Sequence, residues 1–600
     1  MSADFEKVLV KDPRLDVTDA IKYAVIKGGQ NVTMVKLPAV AYSNSQLVWN
    51  VQVPSEQTII DRRVLLNATV DVTVTSNSGL MGNTICYGVN AALASFPIHQ
   101  CMTTLSATIN NNTVTCNIDD VLPAIIRLLD NEDLVYNNSY SPAWNDIVGS
   151  YYLETLANNY DYLSDSKTAL WACTSREDWH RGVYPVYKTS GAFSSASLTL
   201  SYELTEPLLL SPFMFSKTKS NNQGFYGIQN MNIVANLNNG ASIFRGPTAG
   251  TASFVNPSGT GGSEGITGVT VDFTKYKPNL FFTYLTPHPS DLMPARNIVP
   301  YYELPRYINS GLNQVNKGTT ANSVFTYGDS TLFTLNAIQL NQIPDRLIIF
   351  ARRAKSKCSY SAGGGGGIWG IPDVSLPISR VSINFNNNSG ILASAENQQL
   401  WEMSKNNGAN TNWAEWYGIG MSVNKRGNQS LDGPTVAPVA LSGSFLVLEF
   451  GKDIQLTEDF YASGSLGNFN LQMNITCRNN TTYDAGAGEV EIVLITMNSG
   501  VFVCERGTSA TYTGILTKQD VLEASAQEYY THDDVKRIVG GGFWDSIKSG
   551  VSSLAKKGLK MGKEHLRKHG KSYMQQGLKM AANTGKKMLQ KYTAPDDDDE

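Results

Sequence analysis

The chain has 600 residues, of which 42% are hydrophobic, and a formal net charge of −4. That length suits about two to four domains, and the apolar content allows a sizeable core. Only 17% of residues are charged, so Asn, Ser, Thr and Gly fill the surface, a balance that favours a β-rich protein with long loops and large protein–protein contacts over a strongly basic or acidic binder. The N-terminus, MSADFEKVLVKDPRLD, has no apolar h-region, so no secretory signal is expected. No run of about 18 apolar residues occurs, so no transmembrane helix is expected.

Along the chain the dominant signal is short strands with period-two alternation between turn-rich breaks. QNVTMVKLPAV (30–40), SQLVWNVQV (45–53), VLLNATVDVTV (64–74), SLTLSYEL (197–204), GVTVDFT (268–274) and SVFTY (323–327) read this way. So do GSFLVLEF (443–450), NFNLQMNITC (468–477) and EVEIVLITM (489–497). Helical patterns are few. DDVLPAIIRLLD (119–130) and ENQQLWEMSKN (396–406) each open on acids, which favour a helix N-terminus. Segments 132–190 and 246–267 read as long loops. Many strands with inserted loops predict sandwiches or barrels. The seven cysteines are scattered, without CxxC spacing, and read as reduced thiols.

An internal repeat sharpens this. TIIDRRVLL (58–66) matches QIPDRLIIF (342–350), and SATINNNTV (106–114) matches SINFNNNSG (382–390). In both halves a short strand leads into three Asn, a second strand and a short helix. The order predicts two related β domains in tandem, with a boundary near 290–298. The pairs Asp61-Arg62 and Asp345-Arg346 suggest catalysis less than structure: a carboxylate and an Arg fork beside a strand commonly fix a loop by hydrogen bonds.

Catalytic signatures are missing from the sequence: there is no GxSxG, no GxxxxGK[ST] and no HExxH. Gly363–Gly367 lacks the Lys-Ser/Thr and helix start of a phosphate cradle and reads as a flexible loop. His565 and His569 lie four apart on a basic stretch, better explained as a solvated face than as a metal site. No enzyme, cofactor or metal is expected.

The order KGGQ-x-VT within VIKGGQNVT (25–33), then PS-x-QT-x-x-DR within VPSEQTIIDRRVLL (53–66), resembles the major capsid proteins of virophages and Polinton-like viruses. INFNNNSGILASAENQQLWEMSKNNG (383–408) is also similar to that family, and the mavirus-type capsid proteins are the nearest likeness. The resemblance covers roughly 20–520. It implies an all-β double jelly-roll: two tandem eight-stranded sandwiches, 21–292 and 293–520, behind an N-terminal arm, 1–20. It further implies that three copies form a pseudo-hexagonal capsomer of an icosahedral shell around double-stranded DNA, assembled in the host cytoplasm or its virus factory, with a penton or minor capsid protein as partner. The two long loops would form towers or clasps. Trp144 and Trp171 in them read as packing residues more than as sugar platforms.

The last sixty residues differ from the rest. From Gly542 to the end there are 12 Lys and Arg against 7 Asp and Glu, and five of those acids are the terminal DDDDE. Segment 521–541 reads as a linker with a protease site. Ile538-Val539-Gly540-Gly541-Gly542 resembles the cleavage consensus of adenovirus-type cysteine proteases, a large residue followed by Gly-Gly. A narrow groove needs an extended backbone without Cβ atoms beside the cut, here between Gly541 and Gly542. The same glycines also suit a plain flexible linker. Behind them, Phe543 and Trp544 open a basic amphipathic helix. Trp544, Ile547, Val551, Leu554 and Met561 recur at helical spacing on one face, while Lys548, Lys556, Lys557, Lys560, Lys563, Arg567 and Lys568 fill much of the rest. Three partners fit this 542–600 domain: the capsomer interior during assembly, DNA through charge, or a membrane surface.

The reading that joins these features is a major capsid protein with a C-terminal segment that assists assembly and is cleaved on maturation. The alternative is a soluble jelly-roll lectin or toxin with a membrane-active tail.

Overall fold

The structure is a computed structural model that describes residues 30–55, 58–76, 92–94, 96–128, 187–190, 197–214, 224–238, 240, 243–245, 266–287, 296–313, 330–355, 375–386, 388–424, 435–440, 443–456, 462–478, 489–505 and 507–514. In the first half the principal strands are β1 (Gln30–Pro38), β2 (Gln46–Gln52), β3 (Leu65–Ser76), β4 (Met102–Ile109), β5 (Asn112–Cys116), β6 (Ser197–Pro207), β7 (Asn230–Leu237), β8 (Ile266–Asp272) and β9 (Asn279–Pro287). A helix, α1 (Ile118–Leu128), follows β5. β1, β9, β3 and β6 lie side by side in a seven-stranded antiparallel sheet, with β8 also on β3. β2, β7, β4 and β5 lie in a five-stranded one.

The second half repeats the plan. Its principal strands are β10 (Asn297–Glu303), β11 (Arg306–Asn313), β12 (Ser330–Thr334), β13 (Ile338–Gln342), β14 (Arg346–Arg353), β15 (Ile378–Phe385), β16 (Leu446–Glu449), β17 (Leu466–Arg478), β18 (Glu489–Glu505) and β19 (Thr508–Thr513). Again a seven-stranded sheet, centred on β18 and β14, is paired with a five-stranded one, centred on β17 and β15. The helices are α2 (Asn397–Asn406) and α3 (Trp413–Tyr417). The matching Asn-rich turns and the two helices therefore occupy corresponding places, as the repeat predicts.

Alternation explains each sandwich. In β14, Leu347, Ile349 and Ala351 point into one core together with Val381, Ile383 and Phe385 of β15 and Leu471, Met473 and Ile475 of β17. Burying such side chains contributes about 1.5–3 kcal/mol each. In the first half Leu66, Ala68, Val70, Val72 and Val74 of β3 are buried in the same alternating way.

The helix starts are local. Glu396 and Gln399 form a capping box at α2, and Asn412 and Glu415 form one at α3, where Asn412 Oδ1 accepts from Glu415 N at 2.8 Å. Two loop expectations change at their ends. Tyr187–Ser190 is a strand on β6, and β8 begins at Ile266, because free edges of the sheet recruit the loop termini. The expected strand 323–327 lies outside the described residues.

Candidate assembly surfaces

The outer face of the second half's seven-stranded sheet is apolar. Ile348 and Phe350 of β14, Val447 of β16, and Val493 and Ile495 of β18 alternate with the core residues yet are also buried. A strand run buried on both faces reads as continuous hydrophobic sequence, as LIIF (347–350) does. Helix α1 of the first half reaches this sheet. The Arg127 guanidinium lies 4.5 Å from the Phe445 ring centroid, and Phe445 stacks on Phe350 at 4.6 Å. Arg127 is fully buried, which lowers its pKa to about 9 against the opposing pull of Glu415. Helix α1 is buried nearly all round.

Its first turn carries the charge contacts. Asp120 meets Arg352 at 2.6 Å, Arg306 at 2.9 Å and Lys355 at 3.0 Å, and Arg352 also meets Glu491 at 3.1 Å. Burial pushes the Asp120 carboxyl up, but Lys355 and Arg352 outweigh it by charge and hydrogen bond and hold it below its ordinary value. The halves are also tied at β19. Gly507 N donates to Gly227 O at 2.9 Å, and Ser509 Oγ to Ile109 O at 2.6 Å. Phe502 packs edge-on against Phe225.

The repeated Asp-Arg pairs stand at corresponding places. Asp61 N donates to Thr283 O of β9, and Asp345 N to Met497 O of β18, both at 2.9 Å. Their carboxylates accept backbone N–H groups, Arg63 at 3.0 Å and Ser499 at 2.6 Å. Arg62 Nε donates to Pro212 O at 2.9 Å, and burial lowers its pKa to about 10. Arg62 and Arg346 both act on Tyr302, whose phenol burial pushes far up. The pairs thus meet around one residue of β10, which their separate positions in sequence did not suggest.

Charge segregates by sheet. Strands β2, β4, β5 and β7 contain no Asp, Glu, Lys or Arg. In the second half's five-stranded sheet the charged residues are Arg380 and Arg478, on neighbouring rows at one end. The seven-stranded sheets hold strand charges of both signs, for example Asp71, Glu206, Arg352 and Glu491. Sequence reading missed both this and the ionic clamp. The charge-free strings were visible in the sequence, whereas Asp120 and Arg352 lie 232 positions apart.

The His99–Glu206 pair is sealed inside the first sandwich. His99 Nε2 accepts from Leu209 N at 3.2 Å, so its proton sits on Nδ1, 2.6 Å from Glu206, and both side chains have no exposure. Residues 538–542, from Ile538 to Gly542, and the basic amphipathic segment from Phe543 onward lie outside the described residues, as do Trp144 and Trp171.

Two family models match in tandem. The Sputnik virophage major capsid protein first domain matches residues 3–275, and the major capsid protein V20 C-terminal domain matches residues 304–500. The putative capsid protein V20 of Sputnik virophage is 28% identical over 548 residues, covering 90% of this chain and 85% of that protein. Among solved structures, a chain of the Sputnik virophage superposes with a TM-score of 0.72 at 25% identity, over 90% of this chain and 99% of that one. The mavirus major capsid protein gives 0.61 at 14% identity, over 88% and 100%, a likeness of fold. The fold is that of the double jelly-roll capsid proteins, and with two tandem domain matches along it the chain belongs to the virophage major capsid protein family.

Proposed function

We propose that the chain forms trimeric, pseudo-hexagonal capsomers of an icosahedral shell around double-stranded DNA. The observation that carries this is the paired architecture: two units of the same seven-plus-five plan, one docked by α1 on the other's outer sheet face. A head-to-tail contact between like units closes into a ring when the rotation permits. With two units per chain, a ring of six needs three chains. The domain limits proposed with it are an arm at 1–20, sandwiches at 21–292 and 293–520, a linker at 521–541 and a basic domain at 542–600.

The C-terminal domain assists assembly from within the capsomer and is cut by an adenovirus-type cysteine protease between Gly541 and Gly542. The net charge of residues 542–595, +10 against −9 for residues 1–541, supports an internal contact before release. Penton or minor capsid proteins complete the shell, and DNA or a membrane is the further partner of the freed segment. Assembly takes place in the host cytoplasm or its virus factory.

Native mass spectrometry of the soluble protein tests the first part: a three-chain species is expected, and monomers alone would overturn it. Intact mass from infectious particles tests the second. A C-terminus at Gly541 is expected; a chain ending at Glu600 throughout would exclude processing.

A further inference from the structure

Helix α1 of the first half packs on the seven-stranded sheet of the second, whereas the outer faces of both five-stranded sheets carry exposed residues, Asn50, Asn232, Asn470 and Gln472 among them. In the first half this face is built in rows across the strands. Gln46, Asn236 and Thr104 form one row, joined by Gln46 Nε2 to Asn236 Oδ1 at 3.1 Å and Asn236 Nδ2 to Thr104 Oγ1 at 2.7 Å. Asn50, Asn232, Thr108 and Thr113 form another, with the two threonine hydroxyls 2.8 Å apart. In the second half the rows are Thr334–Asn474–Ser382 and Asn384–Gln472, beside Gln339–Asn470.

A sheet face meant to stay in water usually carries both signs of charge. In the first half the strands exclude charge from this face altogether, and in the second the amide and hydroxyl rows are free of it, Arg380 and Arg478 standing beyond them at one end. Loss of charge is the compositional mark of a contact surface. Amides and hydroxyls each donate and accept, so such a face is complementary to a copy of itself. The hydrogen bonds along the rows already hold the side chains, which lowers the entropy lost on docking.

We infer that the outer faces of the two five-stranded sheets, through these uncharged amide and hydroxyl rows, are the contact surfaces between neighbouring capsomers, each meeting the corresponding face of a second copy. This rests on the reading of the chain as a shell-forming protein. It assigns the charged contacts to the interior of the chain and uncharged ones to the lattice. Lattice contacts built this way respond little to ionic strength, because screening acts on charges.

The test uses the full-length protein and four variants: Asn232→Lys, Gln472→Lys, and, as controls in exposed turns at strand ends, Asn111→Lys and Ala337→Lys. All four positions are exposed, so folding and capsomer mass, read by native mass spectrometry, are expected to match wild type. Shell or sheet yield, counted by electron microscopy, is expected to fall at least tenfold for Asn232→Lys and Gln472→Lys and to be unchanged for the controls. Wild-type yield is expected to change less than twofold between 50 and 500 mM NaCl, on the order set by Debye screening. Shells of normal yield from both face variants overturn the inference, as does a tenfold salt effect on wild type. Wild-type shells that keep their yield while the face variants lose binding to an oligosaccharide would give the surface to carbohydrate instead. Failure of the wild type to form any capsomer would count against the proposed function, and is separate from these outcomes.

Discussion

Lys355 Nζ donates to the backbone carbonyl of Asp119 at 2.9 Å, and that carbonyl is the one Pro123 leaves free. A proline inside a helix has no N–H for the residue four positions before it. In α1 the orphaned acceptor is taken by a lysine of the other half, which also reaches Asp119 Oδ2 at 2.5 Å. A helix defect thus becomes a docking contact. Pro123→Ala should return that carbonyl to the helix, so Lys355→Met should cost less in the Pro123→Ala background than in wild type. The expected coupling is about 0.5–1.5 kcal/mol, the net worth of one hydrogen bond. Additive losses in urea denaturation would show that the two residues act separately.

Asp120 and Asp119 are neighbours with different burial, and their removal should cost different amounts. Asp120 is 9% exposed and surrounded by Arg352, Arg306 and Lys355. Asp120→Ala removes the carboxylate that these three cations share in a buried site and should cost about 3–5 kcal/mol. The Asp119 side chain is 32% exposed, and Asp119→Ala should cost about 1 kcal/mol or less. Equal losses would mean that the clamp is a surface ion pair.

The same carboxyl sets an acid limit. Its folded-state pKa lies below the unfolded value, so its contribution is fully present above about pH 4. It fades as pH falls through the folded value, where the unfolded chain binds the proton first. Thermal melts should therefore show a steeper loss of stability below about pH 4 in wild type than in Asp120→Asn, which has no carboxyl to titrate. Parallel curves would place the acid sensitivity elsewhere.

The repeat was legible because Asp-Arg and Asn-Asn-Asn serve local backbone needs that recur in each half: the first orients a strand and the second makes a tight turn. Asn110 and Asn386, in those turns, both take positive φ, at 51° and 50°. The strands were legible where one face is wet, as in β7, whose asparagines alternate with Met231, Ile233 and Ala235. What α1 touches was not legible. Its apolar residues mark a core helix, unlike α2, which buries Leu400 and Ser404 and leaves Glu402 and Lys405 in solvent, but nothing local says which sheet covers it. Partners hundreds of positions away leave no period in the sequence.

The four thiols among the described residues should be silent in the native state. Cys101, Cys116, Cys477 and Cys504 are buried and unbridged. Burial pushes the Cys116, Cys477 and Cys504 thiols up to about 12, and Cys101 higher still with Glu206 nearby. The thiolate is the reactive form. Iodoacetamide at pH 8, followed by peptide mass spectrometry, should leave all four unlabelled in folded protein and label them in urea. Native labelling of any one would show that its strand opens on the labelling timescale.

Gly443 and Gly390 share a left-handed backbone but differ in space, which separates strain from collision. Their φ angles are 79° and 73°. A Cβ at Gly390 would meet nothing within 4 Å, whereas at Gly443 it would lie 1.8 Å from the Ser375 carbonyl oxygen. Gly443 N also donates to Glu415 O at 2.9 Å, tying the end of α3 to this crossing. Gly390→Ala should cost only the left-handed penalty, about 1–2 kcal/mol, and still form capsomers. Gly443→Ala adds a backbone clash that no rotamer relieves, so the Ser375 segment must move off its hydrogen-bonded place on β14. Loss of soluble, cooperatively unfolding protein is expected for Gly443→Ala alone. If both alanines melt within about 1 kcal/mol of each other, the chain crossing at Ser375 is loose enough to shift, and close packing there does not hold the second sandwich together.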